Sequence, residues 1–111
     1  MTTEEIKNLA VNALEDIKAE NITCLDVKGL TSITDYMIIC SGTSSRHIKS
    51  LSQNVVKSAK SHDLQPLGVE GEQHSDWVLV DLGDVIVHIM LPDVRLYYDL
   101  EKLWGEELAV G

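Results

Sequence analysis

The sequence predicts an α/β fold: a mixed five-stranded sheet carrying about three helices. Helical apolar stripes open, divide and close the chain, and short β-branched runs lie between them. The chain has 111 residues, 44% of them hydrophobic and 24% charged. That supplies one ordinary core, so residues 1–111 are read as a single domain.

Ile6, Leu9, Ala10, Ala13, Leu14 and Ile17 recur at helical spacing. Thr2 and Glu5 ahead of them can form a capping box that satisfies the first free amides. The runs "ITCLDV" and "DYMIIC", separated by the polar "KGLTSIT", read as two strands. Gly42 and a Ser/Thr cluster then turn the chain. Ser44 or Ser45 caps a second helix with Ile48, Leu51, Val55 and Ala59 on its inner stripe. Pro66 bars continuation of that helix and admits a short strand around "PLGV", followed by the acidic loop "EGEQHSD". The hairpin "DWVLVDLGDVIVHIM" spans residues 76–90. After Pro92, Val94, Tyr97, Leu100, Leu103 and Trp104 predict a last helix ending near Gly105. A strand-helix-strand crossover after Cys40 makes the sheet mixed. Helices are expected to cover one side of the sheet and leave the other face bare.

Both hairpin faces are apolar, and that raises the question of what the second face is for. Strand alternation places Val85, Val87 and Ile89 on the core side, with Ile86, His88 and Met90 opposite. A two-residue loop at Leu82 and Gly83 pairs Asp81 with Asp84 and sets Trp77 and Leu79 beside His88 and Ile86. A type I turn with Gly83 as a bulge would instead send Trp77 inward, because a one-residue slip reverses every side chain. In the first register Trp77, Leu79, Ile86, His88 and Met90 make an apolar patch edged by Asp81 and Asp84, an arrangement common at interfaces. The alternative is intramolecular: the C-terminal helix covers the patch, with Tyr98 or Trp104 lying on Trp77.

The net charge of −9 opposes capture of a nucleic-acid backbone and fits a basic protein partner better. Cys24 and Cys40 lie in separate apolar runs and read as buried structural thiols. No apolar stretch approaches membrane-span length, and "MTTEEIKN" lacks a signal-peptide pattern, so a cytoplasmic location is expected.

Catalytic chemistry is not apparent. His47, His62, His74 and His88 show no metal-ligand spacing, and His88 has no obvious nucleophile beside it. "CSGTSSRH" resembles the Gly-Ser turn of nucleotidyltransferases, whose helix N-terminus can hold phosphate. Those enzymes also need two carboxylates one residue apart on a following strand, and that pair is missing. Glu70 and Glu72 lie in a Gly-flanked loop, where solvation or a basic partner explains them better than acid-base work. Neither cofactor nor metal is expected. The rival reading is a degenerate nucleotide-binding enzyme using the Ser41–Ser45 turn.

Taken together, "LDV", "SITDYMIICSGTSSRH", "PLGVEGE", "DWVLVDLGDVIVHIM" and "LEKLW" resemble the ribosomal silencing factor family, also called the Iojap family, from about Leu25 to Trp104. The resemblance implies a nucleotidyltransferase-like core without the carboxylate pair. It further implies a translational repressor that binds the large ribosomal subunit through its fourteenth protein, on the intersubunit face, and blocks joining of the small subunit. Organelle relatives act in ribosome assembly, and relatives form homodimers. On that basis the docking role falls to Trp77, His88 and Met90, together with Leu79, Ile86 and Tyr98. Glu70, Asp76, Asp81 and Asp84 supply a negative rim toward a basic ribosomal protein.

Overall fold

Thr2 and Glu5 form the predicted capping box. Thr2 Oγ1 accepts from the Glu5 amide at 3.1 Å, and Glu5 Oε1 accepts from the Thr2 amide at 2.9 Å. The computed structural model, which describes residues 1–73 and 76–102, starts helix α1, Thr3–Asp16, from this cap. There follow β1 (Glu20–Asp26), β2 (Tyr36–Ser41), α2 (Ser45–Ser61), β3 (Gly68–Glu70), β4 (Trp77–Asp81), β5 (Val85–Met90) and α3 (Pro92–Tyr98). Ser44, of the two candidate caps, is the one used: its hydroxyl accepts from the His47 amide at 3.1 Å.

The five strands form one sheet in the order β1-β2-β5-β4-β3. Only β2 and β5 run parallel; every other pairing is antiparallel. The crossover from β2 therefore runs over α2, β3 and β4 before reaching its parallel neighbour. The strand that directly follows α2 goes to the far edge instead. Both edges are poor templates for further pairing: β1 carries a register irregularity between Glu20 and Thr23, and β3 has three residues.

The aliphatic side of β5 packs as expected. Val85, Val87 and Ile89 join Val78, Val80, Ile38 and Cys40 under Ile6, Leu9, Leu14, Ile48, Leu51 and Val55 of α1 and α2. Two polar side chains tie the helices together. Asn54 Nδ2 donates to the Ala13 carbonyl at 2.7 Å, and His47 Nε2 donates to the Ile17 carbonyl at 2.6 Å.

The expectation of a bare second face needs correcting. Val27, Met37, Ile39 and Met90 form a separate buried cluster there, with Leu25, Trp77, Val94 and Leu100 packed against it. Val94 belongs to α3, so the last helix lies on the face opposite α1 and α2. The predicted final helix is interrupted: α3 ends at Tyr98, where Asp99 adopts a left-handed conformation with φ 51°, and helical conformation resumes at Leu100. Leu103 and Trp104 lie outside the described residues. The two thiols separate as well. Cys40 is buried and its pKa is pushed up to about 12 by that burial, whereas Cys24, on edge strand β1, is exposed.

Two glycines hold positive φ in and beside the β3–β4–β5 unit. Gly71 and Gly83 both have φ +89°, but their surroundings differ. A methyl group on Gly71 would overlap the Trp77 carbonyl oxygen, while one on Gly83 would meet nothing closer than Leu67 Cδ1 at 3.7 Å. Gly71→Ala should therefore cost at least about 2 kcal/mol, and Gly83→Ala about 1 kcal/mol from backbone strain alone. Urea denaturation of the two variants tests the order; equal losses would show that the Gly71 approach relaxes freely.

Candidate docking surface

The hairpin turn sets the surface. Gly83 takes the first of two turn positions, where its positive φ fits a type II′ turn, and the Leu82 amide donates to the Val85 carbonyl at 2.9 Å. Asp81 Oδ1 reinforces the turn by accepting from the Gly83 amide at 2.8 Å. Asp81 therefore pairs with Ile86, Leu79 with His88 and Trp77 with Met90. The expected turn at Leu82 and Gly83 lies one residue too early, so each expected partner was off by two. A shift of two preserves the face of every side chain. Trp77, Leu79, Ile86, His88 and Met90 consequently do share the second face, and the bulge register is not the one formed.

The structure separates these residues by accessibility. Met90 is 0% exposed and His88 is 7% exposed, so neither presents a surface to a partner. Their position on the second face agrees with the expectation, but the exposure expected of them does not: both are buried, and α3 folds back over the Met90 end. Trp77, Leu79 and Ile86 are half-buried and remain accessible. Tyr98 is exposed and stacks obliquely on Trp77, with ring centroids 4.8 Å apart. Tyr97 meets Tyr98 edge-on at 5.0 Å. Leu96 and Tyr97, 80% and 81% exposed, extend the apolar area along α3 and were not among the expected site residues. The sequence signal was "LYY": three consecutive large apolar residues on a short helix cannot all face inward.

Trp77, Val94, Tyr97 and Tyr98 line a groove of about 330 Å³ between β4 and α3, with Asp76 and Asp93 in its walls. Aromatic faces flanked by carboxylates suit a lysine or arginine side chain, through cation–π attraction and charge pairing together. The expected rim is only partly in place. Glu70 pairs with Leu79 and Asp81 with Ile86, so both border the patch. Asp84 does not: its carboxylate accepts from Thr3 Oγ1 of α1 at 3.0 Å, on the helical side of the sheet.

Two part-buried polar arrangements hold the surface in shape. Arg95 on α3 donates to Glu101 Oε1 at 2.6 Å, to Ser41 Oγ at 3.0 Å and to Thr23 Oγ1 at 3.1 Å, which clamps the helix across β2 and β1. The Arg95 guanidinium in turn holds the Glu101 carboxyl below its ordinary range. Beneath the groove, Trp77 Nε1 donates to His88 Nδ1 at 3.0 Å. An indole N–H can only donate, so Nδ1 must be an acceptor and the neutral imidazole carries its proton on Nε2. Burial pushes the His88 pKa down to about 4.

The Ser41–Ser45 turn spends its polar groups internally. The Gly42 amide donates to the Met90 carbonyl at 3.0 Å, the Thr43 amide to His47 Nδ1 at 2.9 Å, and the Ser44 hydroxyl caps α2. The Ser41 hydroxyl accepts from Arg95. A side chain at Gly42 would meet Ile48 Cγ1 at 2.7 Å, so packing explains this glycine without a phosphate. Among the described residues no cluster of three or more His, Cys, Asp or Glu could hold a metal ion. No described helix is long and apolar enough to cross a membrane.

Fold and surface together define a small α/β module with a preformed aromatic groove on one face of its sheet. The chain belongs to the ribosomal silencing factor family: the family model described as "Ribosomal silencing factor during starvation" matches residues 1–110. It is 49% identical to the ribosomal silencing factor of Chromobacterium violaceum over 114 residues, covering all of this chain and 93% of that protein. A crystal structure of a Chromobacterium violaceum protein superposes with a TM-score of 0.93 at 48% identity, covering 95% of this chain and 88% of that one. A more distant relative, the mouse protein named "Mitochondrial assembly of ribosomal large subunit protein 1", is 36% identical over 87% of this chain and 44% of its own length.

The His88 environment makes stability depend on pH. A histidine at pKa 6.5 when unfolded and about 4 when folded binds its proton more readily in the unfolded chain. Its contribution is therefore intact above pH 6.5, declines as the pH falls toward 4, and levels off below; the full loss is about 3 kcal/mol. His88→Gln cannot titrate, so its denaturation midpoint should fall less steeply across that window than that of the parent. Parallel midpoint-against-pH curves would mean that His88 is not held neutral.

Proposed function

We propose that this protein is a translational repressor which docks on the large ribosomal subunit in the cytoplasm, through the subunit's fourteenth protein, and blocks joining of the small subunit by occupying its place. It acts by binding and catalyses no reaction. The observation that carries this reading is the groove between β4 and α3, where Trp77, Tyr97 and Tyr98 stand between Asp76 and Asp93. Aromatic anchors among carboxylates match a basic ribosomal protein. Family membership supplies the ribosomal context. Trp77, Leu79, Ile86 and Tyr98 form the contact, joined by Leu96 and Tyr97, and Glu70, Asp76 and Asp81 supply the charge. His88 and Met90 contribute from beneath: the first orients Trp77 through its hydrogen bond, the second supports the Trp77 end of the face. A second copy of the chain is the competing occupant of the same apolar area, and light scattering against concentration reads out that competition.

Tyr98→Ala and Ile86→Glu alter exposed or half-exposed positions and should leave the fold intact. Each is expected to weaken binding to isolated large subunits by about 2 kcal/mol, roughly thirtyfold. Trp77→Ala should cost at least as much, with some loss of stability because His88 loses its donor. Sedimentation of mixed subunits gives the functional outcome: the parent chain keeps them apart and the variants let them join. Full ribosomes persisting at saturating parent protein would overturn the proposal.

A further inference from the structure

The net charge of −9 conceals a strong separation of sign. Helix α2 contains Arg46, Lys49, Lys57 and Lys60 and no acidic residue, so the rest of the chain holds the other five cations and all eighteen acids. At 100° per residue these four positions and Gln53 fall on one stripe, and all five are exposed. The stripe runs about 21 Å along the helix, the rise of its fourteen residue steps. Among the described residues none of the four cations has a carboxylate within ion-pair distance.

Both flanks of the stripe are acidic. Glu5 and Asp16 line the groove between α1 and α2, and Glu72 shares a cleft with Lys57 and Lys60 on the side of β3. The positive field is therefore a narrow line on the layer opposite the aromatic docking face. We propose that this stripe is a second contact surface, which lies along the phosphate backbone of an RNA strand. The charge pattern favours phosphate over an acidic protein for two reasons. Three of the four cations are lysines, which protein–protein interfaces avoid but which bind phosphate readily as point charges. The linear layout, bounded by acids, follows one strand: 21 Å corresponds to about six nucleotides at 3.4 Å each. Elsewhere the acidic surface repels RNA, so the same charges that prevent non-specific capture orient the molecule with α2 toward the backbone. Only the source of that RNA, the large subunit itself, rests on the docking role proposed above.

The test uses the full chain and a variant carrying Arg46→Gln, Lys49→Gln, Lys57→Gln and Lys60→Gln, whose thermal unfolding should match the parent. Two probes are titrated across about 20–200 mM salt: isolated large subunits, and a bare RNA duplex of about 20 base pairs. The parent should bind both in a salt-dependent way. The variant should lose about tenfold or more on subunits at low salt, flatten the logarithmic salt slope by about three, and lose duplex binding. Tyr98→Ala, by contrast, should weaken subunit binding with an unchanged slope and leave duplex binding intact. Wild-type affinity and slope in the quadruple variant would overturn the proposal. So would a flattened slope on subunits when the parent ignores the duplex even at low salt, since the stripe would then meet an acidic protein. If the parent bound the duplex through the stripe but never bound subunits, the docking role would fail while the stripe stood.

Discussion

The parallel pairing of β2 with β5 is the constraint on which the rest of the molecule depends. These are the central strands; in β2 every residue is buried, and in β5 all but Ile86. Parallel strands seldom tolerate a wet face, and here Ile38, Val85, Val87 and Ile89 face one layer while Met37, Ile39, His88 and Met90 face the other. The first set is roofed by α1 and α2. The second needs its own cover, and α3 provides part of it, although none of its seven residues is itself buried. A short helix with that little burial cannot hold itself in place. Arg95 supplies the hold through three hydrogen bonds to two strands and to Glu101.

The accessible aromatic surface, which is the proposed docking site, follows from this incomplete roof. Over Met90 and Ile39 the cover is tight; over Leu79 and Ile86 it stops. Trp77 stands where covered and uncovered regions meet, with His88 below and Tyr98 above. The result combines a fixed indole with an accessible aromatic edge, so little side-chain entropy remains to be lost on binding. The Gly-Ser turn before α2 plays a structural part. Its amides and hydroxyls have been turned to holding the fold together, with His47 bridging that turn to the end of α1.

Much of this was readable in the sequence, and the failures have physical causes. Apolar periodicity located the three helices and five strands of the described residues. Strand parity placed Trp77, Leu79, Ile86, His88 and Met90 on one face even though the turn was set one residue early. The turn was misplaced because Gly83 was read as the second loop position, whereas a type II′ turn uses glycine at the first. Exposure was harder to infer, because parity gives direction and not what lies above. The apolar run "MIIC" does not alternate, which signals a strand buried on both sides, and it pointed to a covered second face. The left-handed Asp99 that interrupts the last helix has no strong local signature, and the reach of Asp84 toward Thr3 depends on tertiary placement. The Trp77–His88 hydrogen bond is diagonal across two strands, whereas the expected register set the two residues directly opposite; in both they are neighbours on one face.

The edges of the sheet carry one more consequence. An irregular β1 and a three-residue β3 give an incoming strand almost no ladder to extend. A molecule with several bare aromatic and leucine side chains would otherwise risk open-ended stacking into fibres. With its rims blunted, contact must come broadside, and a broadside contact is used up once a single neighbour has settled there.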